Sequence, residues 1–127
     1  MTERYKWYKN VHQFKELKIW QKGMVLVEDI YKMTKLLPET EKYGLIAQIN
    51  RSVVSIPSNI AEGSARGSKK EFQHFLRIAL GSLFELETQV ILTINLGLTQ
   101  KIETEKILIE IDEIKKMIKS FHYKLNH

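Results

Sequence analysis

A chain of 127 residues, 43% hydrophobic and 28% charged, is long enough to bury one compact core and too short for two. Its 6 Gly and 2 Pro are too few for the turns of a many-stranded sheet, and the absence of cysteine excludes disulfides and thiolate metal sites. The 20 Lys and Arg against 15 Asp and Glu leave a net charge of +5, which draws polyanions to whichever face carries the excess.

The whole chain, residues 1–127, reads as a single domain. Residues 1–12 fall outside any helical pattern and are expected to be a disordered or docked arm, with Trp7 and Tyr8 as its anchors. This segment lacks the apolar core of a signal peptide, and no run approaches the ~18 apolar residues of a membrane span. The expectation is a soluble, cytoplasmic protein.

From Phe14 to about Leu37, the residues Phe14, Leu17, Trp20, Met24, Val27, Tyr31 and Thr34 follow steps of three and four, the spacing of one helical face. Pro38 ends that helix. A second series, Leu45, Ile49, Val53, Ile56 and Ile60, keeps helical spacing straight across Pro57. An interior proline removes one backbone hydrogen bond and crowds the carbonyl four residues earlier, so this helix is expected to be kinked near Val53.

The second helix is expected to stop between Gly63 and Gly67. Ser68-Lys-Lys-Glu71 then has the form of a capping box and opens a third helix. Its apolar positions are Phe72, Phe75, Leu76, Ala79, Leu80, Leu83, Leu86, Val90 and Ile94, and Gly97 terminates it. A fourth helix from about Thr104 sets Ile107, Ile111, Ile114, Ile118, Phe121 and Leu125 in a narrow seam. Four amphipathic helices with short connections predict an all-α fold, an antiparallel up-and-down four-helix bundle with its second helix kinked at Pro57.

The segment Gly63-Ser-Ala-Arg-Gly67-Ser-Lys69 superficially resembles a phosphate loop, but it has three residues between its glycines where that motif needs four, and a helix precedes it. The histidines His12, His74, His122 and His127 show no metal-binding helical spacing, and no nucleophile elbow is present. The sequence therefore predicts no enzyme activity, no cofactor and no metal. Asn59, Glu62, Ser82 and Glu85 sit among small residues on facing helices. They form either a structural polar network, partnered by Arg51, Arg66 or Arg77, or a ligand site, and the network is the better supported. Arg51, Arg66, Lys69, Lys70 and Arg77 cluster around the second helix, the turn and the third helix. They read either as one electropositive patch for a phosphate backbone or as a solvated face. Ile19, Leu26, Ile46 and Ile109 fall beyond the bundle stripes and are candidate contacts between copies.

The run Ile56-Pro-Ser-Asn-Ile-Ala-Glu-Gly63, with Arg66, Ser68, Glu71-Phe72, Phe75-Leu76, Ala79, Gly81-Ser82 and Glu85-Leu-Glu-Thr-Gln89, closely resembles the four-helix-bundle family of 23S rRNA intervening-sequence proteins. Gly44-Leu45-Ile46, Gln48-Ile49, Arg51, Phe14 and Leu17 extend the match over nearly the whole chain. The resemblance implies a ring-like homopentamer and kinship with the accessory variability determinant proteins of diversity-generating retroelements, basic bundles that bind nucleic acid and cooperate with a reverse transcriptase. It transfers no catalytic residue. The expected function is non-enzymatic binding of RNA or DNA through the basic surface. The alternative is a structural or protein-binding bundle, an adaptor for a protein partner such as a polymerase.

Overall fold

A computed structural model describes residues 13–126; the N-terminal dozen with Trp7, Tyr8 and His12, and also His127, lie outside the described residues. The described chain consists of a 3₁₀ turn at Gln13–Glu16, α1 (Lys18–Thr34), a second 3₁₀ turn at Glu39–Glu41, α2 (Leu45–Ser64), α3 (Lys69–Asn95) and α4 (Lys101–Asn126). No strand occurs among the described residues.

The helices pack in cyclic order, α1 on α2, α2 on α3, α3 on α4 and α4 back on α1. Cross-helix pairs run in opposite directions on every seam, as an up-and-down bundle requires. Gly23 meets Pro57 and Thr34 meets Asn50. Ser52 meets Glu85 while Gly63 meets Phe75. Gln73 meets His122 while Glu87 meets Lys115, and Lys22 meets Glu113 while Asp29 meets Lys106.

Each helix supplies one buried stripe. α2 contributes Ile49, Val53, Ile56 and Ile60, α3 contributes Leu76, Ala79, Leu83, Leu86 and Val90, and α4 contributes Ile107, Ile111, Ile114 and Ile118. These agree with the sequence periodicity. The stripe of α1 does not, because its centre runs Ile19, Gly23, Leu26, Ile30, Met33 and on to Leu37. Tyr31 is exposed and Met24 and Val27 only half buried, so the true face is turned by about one residue, roughly 100°. Gly23 lies at the centre of that face, where a Cβ would touch Pro57 and Ile56 at 3.5 to 3.6 Å, so the helix approaches α2 through a residue that apolar periodicity passes over. Ile19 and Leu26, expected between copies, therefore belong to the core.

α2 continues through Pro57, which is buried inside the helix. Gly63 is also inside it rather than terminating it, and the left-handed residue of the connection is Gly67, at φ +86°. Ser68 caps α3 by accepting from the Glu71 N–H at 3.1 Å. The Glu71 carboxylate accepts the Ser68 hydroxyl at 3.2 Å, so the carboxylate takes the side chain of the cap residue and not its backbone N–H. Gly97, at φ +71°, ends α3, and the Thr93 carbonyl accepts from Leu98 and Thr99 at 2.8 and 3.1 Å. A buried hydroxyl pair, Thr93 and Thr99 at 2.7 Å, ties this turn and lets α4 begin at Lys101, before the Thr104 that periodicity suggested.

Candidate nucleic-acid interface

The corner between α2 and α3 is shaped by Gly63. A Cβ on Gly63 would stand 2.7 Å from Phe75 Cβ and 3.0 Å from Phe72 Cδ1, so only hydrogen fits and the helix backbones come close. Phe72 turns inward to Phe121, with ring centroids 5.3 Å apart, while Phe75 lies half buried at the edge. The Arg66 guanidinium carbon stands 4.9 Å from the Phe75 centroid, and the His74 ring lies at 5.4 Å and 75° to it. Together Arg66, Lys70, Glu71, His74, Phe75 and Arg77 line an open groove of about 430 Å³.

Three of the five basic residues singled out by sequence, Arg66, Lys70 and Arg77, therefore converge. Lys69 is exposed on the first turn of α3 and does not line the groove. Arg51 lies 13 residues before the end of α2 at Ser64, about 20 Å along the axis, and is also outside it. His74 is the groove residue that metal and nucleophile spacing tests could not find, since its relevance comes from neighbours across a turn. Arg77 reaches α4, where its Nη1 lies 3.1 Å from His122 Nε2. A guanidinium only donates, so His122 Nε2 accepts and its ring carries the proton on Nδ1.

The polar residues between α2 and α3 divide. Ser52 donates to Glu85 at 2.5 Å, the hydroxyls of Ser55 and Ser82 pair at 2.8 Å, and the Asn59 amide donates to the Ser55 carbonyl and hydroxyl at 2.8 and 3.0 Å. Asn59 and Ser82 thus meet at Ser55, while Glu85 forms a separate pair with Ser52. Glu62 joins neither; it points outward and takes the Arg66 guanidinium at 2.6 Å. Arg66 is thus the expected partner of Glu62, whereas serines partner Asn59, Ser82 and Glu85, because a serine reaches across a close helix pair where a long cation would force the helices apart.

A second charged cluster crosses the α1–α4 seam. Lys106 stands 3.8 Å from Asp29 and 3.7 Å from Glu110, while Lys22 pairs with Glu113. Burial first, then the hydrogen bond and negative charge of Asp29, push the Glu110 carboxyl up to about 7, against the opposing pull of Lys106. Among the described residues no three potential metal ligands converge, and no helix is long and apolar enough to cross a membrane.

Comparison with known proteins sets this architecture among relatives. The chain is similar to a crystal structure of a protein of unknown function from the S23 ribosomal protein family of Bacteroides thetaiotaomicron, at 28% identity and a TM-score of 0.76, over 82% of this chain and 97% of that one. No curated protein sequence matches. The family model for the 23S rRNA-intervening sequence protein matches residues 15–120, which includes all of the groove, the serine network and most of the core. The chain belongs to the 23S rRNA-intervening sequence protein family.

Proposed function

We propose that the protein is a non-enzymatic bundle that binds RNA or DNA by its phosphate backbone at the α2–α3 corner. The observation that carries this reading is the groove lined by Arg66, Lys70 and Arg77. Lys69 and the first turn of α3, whose N–H groups and dipole favour anions, add to the same field. The net charge of +5 points the same way. Arg51 contributes at most a distant contact.

Self-association belongs to the same reading. Ile109 is 62% exposed, and Ile78, Leu92 and Leu96 are exposed along α3, which supports contact between copies. The family resemblance favours a ring-like homopentamer and kinship with the accessory variability determinant proteins, and the lack of cysteine fits a cytoplasmic setting. A ring would repeat the groove and raise avidity.

The test is an anisotropy titration of RNA and DNA probes at several salt concentrations, comparing the natural chain with Arg66→Glu/Lys70→Glu. Phosphate binding gives a logarithmic salt slope near −0.7 to −0.9 per contact, and the double reversal removes the binding. Loss of neither strength nor slope, with the assembly intact by light scattering, refutes the assignment and leaves the role of adaptor for a protein partner.

A further inference from the structure

We infer that the Arg66, His74 and Phe75 corner of the groove receives an unpaired base, so that the site selects single-stranded nucleic acid over duplex; this rests on the nucleic-acid reading above. The Arg66 guanidinium is fixed on two sides. One face lies on the Phe75 ring at 4.9 Å, and one edge is held by Glu62 at 2.6 Å. With the side chain 45% exposed, this planar cation is accessible from the groove it lines. Guanidinium planes and aromatic rings are the surfaces on which splayed bases stack, and a plane already held in place loses little freedom when a base arrives. The exposed His74 ring stands beside it, set nearly perpendicular to Phe75.

Glu71 adds the discriminating feature. A carboxylate in the groove repels a continuous phosphate rail, yet it accepts a hydrogen bond from a base amino group. Its contact with the Ser68 hydroxyl at 3.2 Å holds it at the head of α3. Lys70 and Arg77 flank the corner seven residues apart, about 10 Å along α3, where they meet phosphates on either side of the base. In a duplex the base faces are already stacked, so Arg66, His74 and Glu71 offer it charge alone.

The experiment uses the full chain with a labelled RNA strand of mixed sequence and the duplex formed with its complement, each titrated across salt. Arg66→Lys keeps the charge and removes the plane, His74→Ala removes the ring, and His74→Phe restores a ring. The expected result is preference for the single strand, a roughly tenfold loss of that affinity in Arg66→Lys and in His74→Ala, recovery in His74→Phe, and unchanged duplex binding and salt slope in the two His74 variants. If both variants bind the single strand like the natural chain, or lose strand and duplex equally, the base site is refuted while the phosphate groove stands. Absence of salt-dependent binding to either probe refutes the nucleic-acid reading itself, and the base site with it.

Discussion

Gly63 of α2 and Phe75 of α3 meet so closely that the Cβ an alanine would place at position 63 falls 2.7 Å from the Cβ of Phe75. Phe75 Cβ is anchored to its own helix and cannot swing away. Gly63→Ala is therefore expected to destabilise the fold by about 1–3 kcal/mol even though alanine is the better helix former, read as a lower urea midpoint with unchanged slope.

The other glycines predict opposite signs. Gly67 has open space around it but sits at φ +86°, so Gly67→Ala should cost about 1 kcal/mol through backbone strain alone. Gly81 is helical, exposed and equally uncrowded, so Gly81→Ala should gain about 0.5–1 kcal/mol. Thermal melts of the two variants beside the natural chain check both signs at once.

The Ser55–Ser82 hydrogen bond is open to a double-mutant cycle. Alanine at either position breaks the same bond, so the double variant should cost less than the sum of the singles, with a coupling of about 0.5–1.5 kcal/mol. Strict additivity would mean that water replaces each hydroxyl without loss.

Glu110 makes stability depend on pH near neutrality. Its carboxyl is raised from an ordinary 4.5 to about 7 in the folded chain, so between these values the folded state holds more protons than the unfolded one. Stability then falls as pH rises from 4.5, and the loss is complete above about 7. Glu110→Gln should flatten this part of the melting profile and leave the variant more stable than the natural chain at about pH 8. Parallel profiles for the two proteins would contradict the raised carboxyl.

Charge reversals separate the groove from the rest of the basic surface. Arg66→Glu should abolish most binding to a labelled RNA at low salt, whereas Arg51→Glu, about 20 Å from the groove end of α2, should lower it only slightly. Equal effects from the two would show a diffuse positive field with no defined groove.

The helices, their order and three of the four buried stripes could be read from the sequence because apolar residues at three- and four-residue steps leave one packing solution. The face of α1 could not, since its centre is Gly23, which carries no hydropathy signal and is defined by Pro57 opposite. Continuity through Pro57 was legible in the spacing on both sides. The end of α2 was legible too, since Ser64 falls in the window that Gly63 and Gly67 mark, but the close approach at Gly63 depends on Phe75, twelve residues on. The site was half legible: basic residues announce themselves, but which of them share a groove depends on helix rotation. His74 gains its place from Arg66 and Phe75, and Ser52 from Glu85, contacts that only tertiary packing creates.

Every groove residue from Arg66 to Arg77 comes from a single α2–α3 hairpin, whereas the proton-holding Glu110 lies beside Asp29 on the α1–α4 seam. The molecule thus keeps its basic groove on one hairpin and its acid-sensitive closure on the opposite seam. A change of acidity strains the closure without reshaping the surface, and a substitution in the surface leaves the closure untouched. The two properties are therefore separable by substitution, one hairpin for the groove and one seam for the closure.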